Sequence, residues 1–292
     1  MLNLVALSNK FKKQLELVNA KLLDSLPEIE LIKKSCQYLM KAGGKRIRPL
    51  MTLHFADKAG GITDKEINLA TAVELLHTAT LLHDDVIDNS SLRRGLPSLN
   101  KLFDNKTSIL VGDYLFSKAF QLMVATGDLE ALKELSDTAA IISGAEVKQL
   151  ELLNKIDISL EEYLQLIKDK TAILFATAAS LGARAGGKEK EIKKARAFGM
   201  NFGIRYQLKD DWSDYTNSSE ILGKDAKHDL IEGKITLPII LLRERIGLEN
   251  IQVLVEKKDL QAIILLLEEE NLEKEFKEIL ENYSNNFSVI ID

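Results

Sequence analysis

From residue 11 into the C-terminal third, apolar side chains recur at helical spacing, and the pattern breaks only at glycine pairs, prolines and short polar stretches. Residues 11–26 read as an amphipathic helix stopped near Pro27, and residues 28–41 as a second one ended by Gly43-Gly44. Pro49 suits the first turn of another. Thr63-Asp64-Lys65-Glu66 has the form of a capping box and predicts a long helix running through Asp88. Residues 89–99 are polar, with Gly95 and Pro97, and read as a loop. Helices are expected over residues 108–125, 129–153, 160–181 and 189–214, with Gly186-Gly187 between the last two and a further helix opened by Pro238. The chain has only four prolines, too few turn signals for a strand-rich fold. The expectation is an all-α protein, most simply one domain over residues 1–292.

Charge then narrows the function. The formal net charge is −5, so no global basic field exists to hold nucleic acid, and any anion site must be a local cluster of Lys and Arg. The single Cys36 excludes an intrachain disulfide framework and fits a reducing, cytoplasmic setting. Residues 1–7 lack the basic flank and cleavage site of a signal peptide, and the longest apolar runs, residues 237–242 and 262–267, are too short to span a bilayer.

The strongest chemical signal is a repeated acidic motif. Asp84-Asp85-Val86-Ile87-Asp88 and Asp210-Asp211-Trp212-Ser213-Asp214 are both D-D-x-x-D, each closing a predicted helix. Residues four apart share a helix face, so Asp84 projects with Asp88 and Asp210 with Asp214. Like charges at that spacing repel by about 0.2–0.5 kcal/mol per exposed pair. They also sit at the negative end of the helix dipole. Divalent cations remove both penalties, and carboxylate oxygens suit Mg²⁺, which keeps waters and bridges to phosphates. One turn and two turns before Asp210 on this face come Gln207 and Gly203, then Gly199; glycine inside a helix costs about 1 kcal/mol relative to alanine, so either close helix packing or a need for space is implied.

Cations lie close to both motifs in sequence. Residues 43–49 (GGKRIRP) place Lys45, Arg46 and Arg48 after two glycines, just before a helix, where backbone N–H groups and cationic side chains suit a phosphate. Arg93-Arg94-Gly95 follows the first motif, Lys170-Thr171 sits within a helix, and Lys224 and Lys234 bracket the polar stretch after the second motif.

Taken together, residues 43–49, residues 77–88 (HTATLLHDDVID) with Arg93-Arg94-Gly95, Lys170-Thr171, residues 207–214 (QLKDDWSD) and residues 223–238 (GKDAKHDLIEGKITLP) resemble the trans-type polyprenyl diphosphate synthases, in the family's order and over nearly the whole chain. The resemblance implies a large helical bundle of the isoprenoid synthase type with a central cavity between the helices that carry the two motifs. It implies a homodimer, and substrates that are isopentenyl diphosphate and an allylic diphosphate. Asp84, Asp88 and Asp210 would bind Mg²⁺, two or three ions per site, with Asp85, Asp211 and Asp214 supporting them. Lys45, Arg48, His77 and Arg94 would hold isopentenyl diphosphate. Arg93, Lys170, Thr171, Gln207, Lys224 and Lys234 would hold the allylic diphosphate. Three features depart from the family pattern: Tyr206 in place of the usual Phe, Lys227 where Gly is common, and a short acidic C-terminal end.

The reaction so implied breaks an allylic C–O bond, and diphosphate leaves only if its charge is neutralised. The alkene of isopentenyl diphosphate then attacks the cation, and the released diphosphate accepts the proton. Water would quench the cation, so the site must close, and the polar residues 215–233 are placed to act as a lid. Product length is expected to follow the space beneath the first motif, bounded by Leu76, Ala79 and Thr80, with Phe116, Phe120 or Met123 as floor. In this family a bulky aromatic just before the motif goes with short products, so Ala79 and Thr80 predict an octaprenyl-like product of about C35–C45, its chain buried at about 0.8 kcal/mol per CH₂. It would serve as a quinone side chain, with transient membrane contact for release. A shorter, geranylgeranyl or farnesyl, product is the alternative. An HD-type phosphohydrolase needs more histidine ligands than the four present. A class I terpene cyclase needs no Lys45/Arg48 site, and a non-catalytic helical subunit would not keep both acidic motifs.

Overall fold

The computed structural model describes residues 4–24, 27–216 and 228–284. In chain order the helices are α1 (Leu4–Lys10), α2 (Lys12–Asp24), α3 (Glu30–Lys41), α4 (Ile47–Ala59), α5 (Asp64–Ile87), α6 (Leu99–Leu102), α7 (Asn105–Ala125), α8 (Leu129–Leu152), α9 (Leu160–Ile167), α10 (Ile173–Ala183) and α11 (Glu189–Thr216). They continue as α12 (His228–Glu232), α13 (Leu237–Ile246), α14 (Leu248–Glu256), α15 (Leu260–Glu269) and α16 (Leu272–Asn282). Among the described residues the only strands are β1 (Leu92–Arg93) and β2 (Leu96–Pro97), a short antiparallel hairpin in the stretch expected to be plain loop. The helix expected over residues 160–181 is likewise interrupted, by a π turn at Lys168–Ala172. None of the described helices is long and apolar enough to cross a membrane.

The chain forms two compact units, one from Met1–Ala139 with Leu174–Gly199 and one from Ala140–Ile173 with Met200–Asp292. In the first, α5 begins where the sequence predicts. The Glu66 carboxylate accepts the Thr63 N–H at 2.9 Å, while Thr63 Oγ1 accepts from Lys65 N at 3.2 Å. Two orphan donors of the helix start are thereby satisfied. Val73, Leu76, Ala79 and Leu82 of α5 are buried, and the helix packs most extensively on α7, where Leu115, Ala119 and Met123 are buried. The α10 helix is buried along its whole length, as befits a helix apolar all round. Its approach to neighbours is close: a Cβ on Gly182 would run into the Thr52 carbonyl, and one on Gly199 into the Phe175 carbonyl. Gly199 therefore serves helix packing, which settles that part of the glycine question raised by the sequence. Glu134, a half-buried carboxylate, accepts from Ser180 at 2.9 Å, from Arg184 at 3.2 Å and from Arg196 at 2.5 Å, so its charge is compensated.

The second unit has its own core, in which Tyr163, Ile204, Leu208, Trp212, Ile239, Leu242, Ile263 and Phe276 are buried. Trp212 stacks on Phe276 with centroids 4.4 Å apart and planes 9° from parallel. Ser159 and Glu162 form a capping box at the start of α9, and Arg243 donates to the Ile156 and Ile158 carbonyls, both at 2.7 Å, satisfying the turn that leads into it.

Candidate active site

In the first unit the acidic motif closes α5. Asp84 and Asp88 are half-buried on one face, whereas Asp85, rotated away from them, is only 1% exposed. Its carboxylate is gripped by Arg93, whose Nε lies 2.8 and 2.9 Å from the two oxygens and whose second nitrogen lies 2.5 Å from Oδ1. The β1–β2 hairpin delivers that arginine, turning through Arg94 (φ 55°) and Gly95 (φ 75°). The Arg94 guanidinium then lies against Gly44: a Cβ there would stand 2.6 Å from it. The second glycine of the GGKRIRP segment is thus in close contact with a cation contributed from the other basic motif.

The same segment builds a cationic corner. Arg46, in the left-handed region (φ 47°), caps α4 and pairs with the buried Glu74 at 2.7 Å. Arg48 is held from two sides. Its guanidinium carbon lies 4.1 Å from the centre of the Phe175 ring, and its NH1 is 2.9 Å from His77 Nε2. Burial, followed by the charges of Arg48, Arg94, Arg93 and Arg46, holds His77 well below the ordinary imidazole range. His77 is therefore neutral, and since a guanidinium can only donate, Nε2 accepts and the ring proton sits on Nδ1. Four guanidiniums around a neutral acceptor, with the exposed Lys45 beside them, make a site suited to a polyanion.

The second motif, in the other unit, repeats the pattern. Asp210 and Asp214 are half-buried on one face of α11, and Asp211 is 3% exposed. Asp211 accepts the Tyr163 hydroxyl at 2.5 Å and the Gln207 amide at 2.6 Å. Gln207 in turn accepts the Thr171 hydroxyl at 2.9 Å. Lys170, in the π turn, pairs with Glu146 at 2.8 Å and Gln149 at 3.0 Å. Lys234 pairs with Glu232 at 2.6 Å. Loss of solvation, with repulsion from Asp210 and Asp214, raises the Asp211 carboxyl above the usual range, and loss of solvation with repulsion from Asp211 and Asp214 raises that of the half-buried Asp229.

In both motifs, then, the second aspartate is taken up by protein donors, while the first and last remain side by side on one face. Among the described residues no three metal-ligating side chains converge. That donor set fits Mg²⁺, which typically takes one or two carboxylates and completes its shell with water and substrate phosphate. Of the chain-length candidates, Leu76 and Ala79 are fully buried. Thr80 donates to the His77 carbonyl at 2.8 Å, and Phe116 and Phe120 pair with ring centres 5.2 Å apart. Lys224 and residues 217–227 of the expected lid lie outside the described residues. The sequence reading missed Glu74, Glu146, Tyr163, Phe175 and Asp229. Only Glu74, one turn before His77 on the same helix, carried a signal that could have been used, as a charge placed among apolar neighbours.

Comparison with known proteins agrees with this geometry. The model of the polyprenyl synthetase family matches residues 29–282. The chain is 41% identical to octaprenyl diphosphate synthase of Escherichia coli over 225 residues, covering 76% of this chain and 70% of that one. It is 34% identical to a short chain isoprenyl diphosphate synthase of Methanothermobacter thermautotrophicus over 281 residues, covering 93% and 84%. Its fold is similar to a crystal structure of a polyprenyl synthase from Caulobacter crescentus complexed with calcium and isoprenyl diphosphate. The TM-score is 0.92 and the identity 36%, over 97% of this chain and 90% of that one.

Proposed function

Because the chain belongs to the polyprenyl synthetase family, and is thus a Mg²⁺-dependent prenyltransferase, we propose that it adds isopentenyl diphosphate to an allylic diphosphate, head to tail, until the all-trans product reaches about C35–C45 in length, the chain buried at about 0.8 kcal/mol per CH₂. The observation that carries the length is the small, buried Ala79 with Thr80 beside it, where an aromatic ring would stop a growing chain. Similarity to the octaprenyl enzyme supports it; similarity to the short-chain enzyme makes a geranylgeranyl-length product the alternative. The product would supply quinone side chains.

The residue roles belong to the same proposal. Asp84, Asp88 and Asp210 hold two or three Mg²⁺ ions, with Asp214 assisting. When bound, Mg²⁺ neutralises the charge that builds on the departing diphosphate. Lys45, Arg48 and Arg94 bind the isopentenyl diphosphate. Neutral His77 and the Phe175 ring fix the Arg48 guanidinium, so its donors are aimed before substrate arrives. Arg93, Lys170, Thr171, Gln207, Lys224 and Lys234 serve the allylic diphosphate. Arg93 also neutralises Asp85, so that substrate does not meet a bare carboxylate. Exposed apolar side chains at Leu110, Val124 and Leu129 support a homodimer, which would cover them. Incorporation of labelled isopentenyl diphosphate tests the assignment. Asp84→Ala and Asp210→Ala should each lower it by about 10²–10³-fold, the scale of losing one transition-state stabiliser; an effect below tenfold from either contradicts the metal roles.

A further inference from the structure

The second acidic motif is anchored by a side chain that no motif includes. Tyr163 is 2% exposed, yet it is polar and sits deep in the second unit's core. A buried phenol needs a partner for its O–H, and the partner is Asp211, at 2.5 Å. Asp211 is itself an unusual choice for burial, because Asp210, Asp214 and Asp229 all repel it. Among the described residues two donors compensate it, Tyr163 and Gln207. The Gln207 amide is fixed in turn, since its oxygen takes the Thr171 hydroxyl while its nitrogen serves Asp211. The result is one ordered chain of hydrogen bonds, with Tyr163 at its buried end and Thr171 at the other.

The π turn explains how two residues from one helical stretch reach this pair. Tyr163 and Thr171 are eight apart, which on an uninterrupted α-helix leaves them about 80° apart in direction. Residues Lys168–Ala172 carry a π turn, closed by the Ile173 N–H to the Lys168 carbonyl. The extra residue takes back part of that offset. Both hydroxyls then meet Gln207 and Asp211, which are one α11 turn apart and share a face.

We propose that Tyr163 is the positioning residue of the second acidic motif: by holding Asp211 inward it fixes the rotation of the last turns of α11, so that Asp210 and Asp214 are presented together to the metal. The proposal rests on the metal role assigned to that motif above. Outer-shell partners of this kind are typically worth about 10–100-fold in metal affinity. The test is titration of the full-length enzyme with Mn²⁺ in the presence of inorganic pyrophosphate, followed by electron paramagnetic resonance, for wild type and Tyr163→Phe. Binding should weaken about 10–100-fold in Y163F, while the KM for isopentenyl diphosphate, whose assigned residues lie in the other unit, stays within about twofold. Unchanged Mn²⁺ affinity overturns the proposal even if thermal stability falls, because a purely structural tyrosine would give that result. If Y163F does not fold, Asp211→Asn, which keeps an acceptor for the phenol, must bind Mn²⁺ more tightly than Asp211→Ala; equal affinities overturn the proposal too. A wild-type enzyme that binds no Mn²⁺ with pyrophosphate contradicts the metal reading itself, and so is distinguishable from failure of the tyrosine's role alone.

Discussion

Replacing Arg46 by Met tests how the GGKRIRP segment is held. Arg46 pairs with Glu74 at 2.7 Å, and their side chains are 14% and 4% exposed. Breaking a buried pair by removing one partner costs about 3–5 kcal/mol, because the other charge is left without compensation. R46M should therefore lose about 3 kcal/mol relative to wild type. Adding Glu74→Gln should recover most of that loss, since a neutral amide is far cheaper to bury than an uncompensated carboxylate. Urea unfolding of wild type, R46M and R46M/E74Q provides the assay. A loss below about 1 kcal/mol in R46M, or no recovery in the double variant, would refute the reasoning.

Three further outcomes follow from the same geometry. His77 stays neutral in the folded protein, while the unfolded chain takes up a proton below about pH 6.5; its contribution is therefore complete above that value and lost as pH falls, by about 1–2 kcal/mol between pH 7 and pH 5. His77→Gln should flatten that part of the stability profile, and an unchanged slope would contradict the neutral assignment. Gly199→Ala should cost about 1–3 kcal/mol in urea unfolding despite the better helix propensity of alanine, because its methyl meets the Phe175 carbonyl; a stabilised variant would contradict the packing. Ala79→Phe should shorten the product sharply on chromatography, with circular dichroism confirming the fold, since overpacking this buried site costs about 1–3 kcal/mol; unchanged product length removes Ala79 from the tunnel.

The elements that could be read from the sequence were those whose causes are local. The capping box at Thr63, the glycines after α3 and the apolar periodicity of α5 and α11 act over a few residues, and the helices start and stop near where they direct. The acidic and basic motifs were legible because like charges at helical spacing require an explanation wherever the chain goes. What was not legible depends on contacts made far along the chain. Glu74 meets Arg46 across 28 residues and Tyr163 meets Asp211 across 48. Taken alone, Tyr163 reads as one more apolar position of α9. The hairpin escaped because each strand is two residues long, below any alternation a sequence can display. The π turn escaped because no residue type encodes it.

The length of the product tests the central claim most directly. Purified enzyme incubated with farnesyl diphosphate, excess labelled isopentenyl diphosphate and Mg²⁺, followed by chromatography of the dephosphorylated products, should give all-trans chains centred at about C35–C45, the length proposed from Ala79 and Thr80. Label that stops at about C20 or shorter would contradict the long-chain assignment, and no incorporation at all would contradict the enzyme.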